Sequence, residues 1–366
     1  MSGSTPELNL ATAVDADDNA DYLTINLANS LRTVDALFNN VTGHNHGGAH
    51  QGGPVAPAAI ADGSITNAKL APDVARANLL TNGGFEIWQR GNGPFTANNA
   101  YTADMWSISW PSGTPSVSIS KETSVIDSGS QASLKYVVTS LGGASYVFAR
   151  QWVKMSDQTQ LRGRQISVSI RAQSSVVGAV LLRVVTDGTA GPDISSGATS
   201  QANTWQTLTV TLTVPLDATF VAVDVRVSAV ATAYIDNAML VVGSQAANYV
   251  PLHPADDLAR CLRYYENIIS PGANFNYAVG QALSATTAYT AFSWKVRKAV
   301  TPTVTFNGSF QVGQANGTQS TVTMNSANIS TDLAQFYATG ASGLVAGNAS
   351  LFTMGAATVF GIEANP

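Results

Sequence analysis

Three of the chain's four histidines, His44, His46 and His50, fall close together in the segment GHNHGGAHQGG. In an extended strand residues i and i+2 face one side, so His44 and His46 share a face that His50 can join. Were three copies of the chain to wind about one axis, the imidazoles of His44 and His46 would meet there as an octahedral nitrogen cage for a divalent transition metal. The same residues also suit a solvated Gly/His loop. A second set of residues could take up sugars, whose C–H faces stack on aromatic planes beside hydrogen-bonding amides and carboxylates. Trp110 in SWPSG and Tyr146 in GGASYVF stand in loop-like sequence as candidate platforms, and Trp152 ends a strand-like run. Trp88, Trp106 and Trp205 read instead as framework. A third set, Asp104, Asp224 and Asp236, could in principle supply the paired carboxylates of glycoside hydrolysis. None of these sits in a recognisable catalytic context, and the sequence holds no GxSxG, P-loop, GxGxxG or HExxH motif. The expectation is a protein that is not an enzyme.

The elements that must position these residues follow from hydropathy patterning. Trp205 to Pro215, WQTLTVTLTVP, alternates Leu208, Val210, Leu212 and Val214 against threonines, which makes a β-strand with one buried face. The same alternation runs through Val221, Val223, Val225 and Val227 and, in shorter form, through 133–139 and 166–172. Short strands separated by polar turns such as Asp187-Gly188 predict an antiparallel jelly-roll sandwich over 79–250. A short helix follows, with Pro254 at its start, Asp256 and Asp257 in its first turn and His253 as its cap. Cys261 lies at helical spacing among Leu258, Ala259, Leu262 and Tyr265 and is expected in the core; as the one cysteine, it also excludes an intrachain disulfide. Over 251–366 the helix leads into β-branched runs with Gly and Asn turns, a second and smaller β-sandwich whose short core favours trimerisation.

The N-terminal part differs. Ala20, Leu23, Leu27, Val34 and Leu37 fall at heptad spacing, so residues 1–40 are read as a helical attachment element, either bundled or docked on another protein. Residues 41–78 are dense in Gly, Ala and Pro and poor in large apolar residues. Such a segment is either a flexible linker or one strand of an intertwined multichain neck.

Composition narrows the function classes. With 366 residues the chain exceeds a single ordinary core. Only 11% of residues are charged while 45% are hydrophobic, so the surface must be Ser, Thr, Asn, Gln and Gly, suited to contact with its own copies or with neutral sugars. A net charge of −5 and no basic run argue against nucleic acid as a partner. The first residues, MSGSTPELNL, lack the pattern of a signal peptide, and no apolar stretch is long enough to insert in a membrane.

Three ordered stretches resemble bacteriophage tail-fibre and related virion-appendage proteins. IADGSITNAKLAPDV (60–74) resembles a repeat of fibre shafts, present here in one copy. NLLTNGGFEIWQRG (78–91) and YTADMW (101–106), with WQTLTVTLTVP and AYIDNAML further on, resemble jelly-roll carbohydrate-binding modules of the family 4/9 type. DDLARCLRYYE (256–266) followed by RKAVTPTVT (297–305) looks like the β domain that often follows such modules. The resemblance implies a virion protein assembled in the host cytoplasm, a homotrimer bound through residues 1–40 to another virion protein, and attachment to a host-surface polysaccharide. It implies, too, a structural Ca²⁺ held by Glu86 and Asp236, and a transition metal at the His-x-His motif as in some phage fibres. A head-fibre, decoration or collar protein with a purely structural role is the alternative, and a glycan depolymerase the second.

Overall fold

The structure is a computed structural model, which describes residues 77–365 except Ala190, Asn316 and Thr318, and before residue 77 only 3–4, 11–12, 29 and 31–32. The chain forms two compact units, Met1–Thr66 and Asn67–Pro366. In the first, β1 (Gly3–Ser4) pairs antiparallel with β2 (Ala11–Thr12), and Asn29, Leu31 and Arg32 are helical. The rest of the expected N-terminal helix, most of the neck and the residues His44, His46 and His50 lie outside the described residues.

The second unit begins with a two-sheet antiparallel sandwich. Its strands are β3 (Ser107–Ser109), β4 (Ser116–Glu122), β5 (Ser133–Ser140), β6 (Val147–Lys154), β7 (Gln165–Ser174), β8 (Val180–Thr186), β9 (Asp193–Ser195), β10 (Gln206–Thr213), β11 (Phe220–Val227) and β12 (Ala231–Val242). One sheet runs β10-β7-β12-β5-β4 and the other β3-β6-β11-β8-β9. Alternation decides the faces, as expected. Leu208, Val210 and Leu212 of β10 and Val221, Val223, Val225 and Val227 of β11 enter one continuous core with Trp106, Tyr136 and Ile170. Burial of side chains this size contributes about 1.5–3 kcal/mol each.

The helix α1 (Pro254–Leu262) starts as expected. The Nδ1 of His253 accepts a hydrogen bond from Ala255 N (3.3 Å), and Pro254 occupies the first turn, where its missing N–H is not needed. Cys261 is fully buried, and burial pushes its thiol pKa up. Beyond α1 come β13 (Tyr265–Ile269), β14 (Phe275–Ala282), β15 (Thr287–Ser293), β16 (Thr303–Asn307), β17 (Phe310–Gly313), β18 (Gln319–Ala327), β19 (Leu333–Thr339), β20 (Ala349–Met354) and β21 (Val359–Glu363). The closing strand anticipated at the C-terminus is β21, at the centre of a β13-β21-β16 sheet.

The chain is mainly β, as expected, and its C-terminal strands, anticipated as a smaller sandwich, close further into a six-stranded barrel, β14-β15-β19-β18-β17-β20. A bulge shifts the register of β14 against β20 between Asn276 and Ala278, and Gly280 lets β14 approach β15, because a Cβ there would sit 2.0 Å from the Tyr289 carbonyl oxygen. Bulges and glycine bends are what sheets use to close. Phe310, Phe336, Phe352 and Phe360 fill the core beneath.

Candidate functional site

On the sheet that contains β6 and β11, one face builds the sandwich core and the other points outward. In β6 the sequence VFARQWVK sends Val147, Ala149 and Val153 into the core, so Phe148, Arg150, Trp152 and Lys154 line the outward face. Across the strand pair these stand beside Arg226, Asp224, Ala222 and Phe220 of β11 respectively, and Arg183 of β8 lies beyond Asp224. A period of two has therefore interleaved aromatic rings and charges on one surface.

The charges form a chain. Arg150 donates to Asp224 from Nε (2.6 Å) and Nη2 (2.8 Å), and Arg183 donates to the same carboxylate from Nη1 (2.9 Å). Arg183 in turn holds Asp193 of β9 through Nε (2.6 Å). Burial opposes the charge on Arg183, but Asp193 and Asp224 outweigh it and hold its pKa up. Asp224 is completely shut off from solvent although it lies on the outward face, since the two guanidinium groups cover it.

The rings flank this chain. Trp152 is half-buried and meets Phe220 edge-on at 4.8 Å between centroids. The Arg150 guanidinium lies 4.6 Å from both the Trp152 and the Phe148 rings, and the Lys154 ammonium 5.0 Å from Trp152. At the other end Tyr146, also half-buried, lies under the Arg226 guanidinium at 3.9 Å. The loop that presents Tyr146 is pinned by Gly142, which adopts φ +51° where a Cβ would be 2.1 Å from the Thr114 carbonyl oxygen, and the Gly142 carbonyl accepts from Thr114 N at 3.0 Å.

Of the three aromatic candidates, the structure brings Tyr146 and Trp152 to this face. Trp110 packs instead against the sandwich core, with its backbone N–H donating to Asn98 Oδ1 at 3.1 Å. Sequence reasoning missed Phe148, Arg150, Lys154, Arg183, Phe220 and Arg226. The signal was present in part: Phe148-x-Arg150-x-Trp152-x-Lys154 alternates with Ala149, Gln151 and Val153, and Arg226 stands in the outward phase of the β11 valines.

The three acidic candidates are separated. Asp224 is sealed in its ion pairs. Asp236 lies in β12 on the other sheet, fully buried, and accepts from Asp127 N (3.0 Å), Ser130 Oγ (2.9 Å) and Asn237 N (2.7 Å). Burial outweighs these bonds and pushes its pKa up to about 6. Asp104 is buried in YTADMW, where its Oδ1 accepts from Gln89 N (3.0 Å); burial raises its pKa to about 6 as well, against the hydrogen bonds of Gln89.

Both motif segments are framework. The Asn82 side chain ties Ile87 N (3.0 Å) and the Ile87 carbonyl (2.8 Å), while Trp106 Nε1 donates to the Asn82 carbonyl (3.2 Å) and Trp88 Nε1 to that of Phe85 (2.6 Å). Glu86 and Asp236 are both near enough to Tyr249 to help raise its phenol pKa, after the larger effects of burial and Asp257. As a calcium pair they fit poorly: both Asp236 oxygens face N–H and O–H donors, which a cation would have to displace. Among the described residues no group of three or more His, Cys, Asp or Glu side chains is placed to hold a metal, and no helix is long and apolar enough to cross a membrane.

No protein-family model matches the chain, and no curated protein matches it. Among solved structures, part of the chain is similar to the enzymatically active domain of tailspike protein 4 of bacteriophage CBA120, with 20% identity, 45% of this chain, 21% of that one and a TM-score of 0.33. The chain thus spans about a fifth of that tailspike domain. A family 4 carbohydrate-binding module is similar at 19% identity over 44% of this chain and 98% of its own, TM-score 0.33. The module TmCBM61, solved with β-1,4-galactotriose, is similar at 15% identity over 46% of this chain and 100% of its own, TM-score 0.30.

Proposed function

We propose that this chain is a bacteriophage appendage protein that attaches, without catalysis, to a host-surface glycan through the outward face of β6, β11 and β8. The observation that carries this reading is the alternation on that face of half-buried rings with a hydrogen-bonded charge chain. Rings offer stacking planes for sugar C–H faces, and fixed guanidinium and carboxylate groups orient hydroxyls. Tyr146 and Trp152 stand six residues apart along β6 and its approach, about 20 Å, a span suited to an oligosaccharide rather than a single sugar. The ordered motifs of the sequence support the phage context. In that context the chain is a homotrimer whose residues 1–40 engage another virion protein, with His44, His46 and His50 gathered at the axis. Weak single contacts then become strong through multivalency.

Retention of the full chain on immobilised glycans tests the site: wild type is expected to bind a subset, and Trp152→Ala to lose it with folding unchanged. Equal retention of the two proteins would move the site elsewhere. Light scattering is expected to give three times the 38.0 kDa chain mass. New reducing ends from host polysaccharide would overturn the non-catalytic reading.

A further inference from the structure

The outward face carries more cations than its own anions can match. Arg150, Lys154, Arg183 and Arg226 share it with Asp193 and Asp224 alone, although the chain as a whole bears −5. Both carboxylates are occupied by Arg150 and Arg183. Arg226 is left over: its Nε is buried without a hydrogen-bond partner, and among the described residues its side chain forms no ion pair. Its guanidinium carbon lies over the Tyr146 ring, 3.9 Å from the centroid. Burial and the nearby charge of Arg183 pull its pKa down, so the cation is held where nothing in the protein fully offsets it. At the far end, Lys154 is likewise positioned over rings, Trp152 at 5.0 Å and Phe220 at 5.7 Å.

A guanidinium held over a ring has less freedom to turn, and its planar fork matches a carboxylate through two parallel hydrogen bonds. We infer that the ligand of this face is an acidic glycan, a saccharide bearing a carboxylate of the uronic acid type, and that Arg226 receives the carboxylate beside Tyr146. The inference rests on the reading of this face as the glycan site and deepens it. Neutral hydroxyls would leave the surplus cations unmatched, whereas a uronate carboxylate supplies a counter-charge for Arg226. Arg226 acts as the specificity residue, while Trp152 supplies stacking that neutral and acidic sugars share.

Affinity electrophoresis of the full chain in gels containing alginate, polygalacturonate or hyaluronate, each paired with its carboxyl-reduced counterpart, separates the two ideas. Neutral xylan and β-glucan gels run alongside. At least one native polyuronate is expected to retard the wild type about tenfold more strongly than its reduced form, with retardation weakening as salt is raised. Arg226→Gln is expected to remove that difference. Arg226→Lys, which keeps the charge but not the fork, is expected to recover only part of it, and thermal melts of both variants establish that they fold. Equal binding of native and reduced polymers overturns the acidic-glycan inference and leaves the glycan site standing. Retardation by polyuronates that Arg226→Gln does not alter overturns the role of Arg226. Retardation by neither polyuronates nor neutral polymers overturns the inference and the site together.

Discussion

Asp224 receives two hydrogen bonds from Arg150, of 2.6 and 2.8 Å, and is fully shielded from solvent on a sheet face that points away from the core. Removing the carboxylate would leave the Arg150 and Arg183 guanidinium groups crowded with no shared counter-charge. Breaking a buried pair by deleting one partner costs about 3–5 kcal/mol. Because both arginines retain some exposure, Asp224→Ala is expected near the lower end, about 3 kcal/mol, which urea unfolding would measure. Asp224→Asn keeps the shape and is expected to lose less. A change under about 0.5 kcal/mol in the alanine variant would mean that water already screens the pair.

The sandwich and the C-terminal strands are joined by polar contacts. Arg90 pairs with Glu363 and lies 3.5 Å over the Tyr265 ring, Asn267 Nδ2 donates to the Gln89 carbonyl (2.8 Å), and Arg263 and Tyr264 both bond Asp157 (2.6 and 2.8 Å). Calorimetry of the wild type is expected to give one transition for these two parts. In the double variant Arg90→Ala/Arg263→Ala the junction loses both cations, and two separated transitions are expected. Persistence of a single transition would assign the coupling to the contacts that remain, those of Asn267 with Gln89 and Tyr264 with Asp157 among them.

Stability should rise on mild acidification. Asp104 and Asp236 have folded pKa values of about 6, above the usual 3.8, because burial penalises their charged forms. Between about pH 4 and 6 the folded chain therefore binds protons that the unfolded chain does not, and stability falls as pH rises through that window. Each shift corresponds to roughly 2–3 kcal/mol at most. Carboxylates held low by their partners, Asp127 and Asp193 among them, lose their contribution only at still lower pH. The melting temperature is expected to be several degrees higher at pH 5 than at pH 7.5. Asp104→Asn/Asp236→Asn is expected to flatten this profile whatever its effect on overall stability.

Much of this architecture could be read from period-two alternation, because a half-buried strand writes its inward face directly into the sequence. The valines of β11 and the leucines and valines of β10 are instances, and so is the cap of α1 by His253. Barrel closure was not legible in that way, since it depends on the bulge at Asn276–Ala278 and on how closely β14 approaches β15. The candidate face was half legible. Trp152 and Tyr146 stood out as aromatics, but which charges join them depends on strand register: Arg150 faces Asp224 across 74 residues of sequence, and Arg183 reaches the same carboxylate from a third strand. Trp110 read as loop for a sound reason, its Pro and Gly neighbours, yet a half-buried loop can still turn an indole onto the core.

Glu266 of β13 and Lys298, which precedes β16, form an ion pair of 2.7 Å with both side chains wholly buried. The same Lys298 ammonium donates to the Leu262 carbonyl at 2.6 Å, so it also ties down the end of α1. Taking two charges out of water is costly, and such a pair does better than its apolar substitute only if its remaining hydrogen bonds are made. Here Lys295 N bonds Glu266 Oε2 at 3.3 Å, while Oε1 has no hydrogen bond and meets only the Lys295 ammonium at 3.6 Å. Glu266→Met alone is expected to destabilise by about 3–5 kcal/mol, because it strands the lysine charge. The double variant Glu266→Met/Lys298→Met is expected to recover most of that loss, short of the bond to Leu262. A double-mutant cycle by chemical denaturation measures the coupling; if the double variant is as unstable as the sum of the singles, the pair does not act as a unit and the two side chains hold the junction independently.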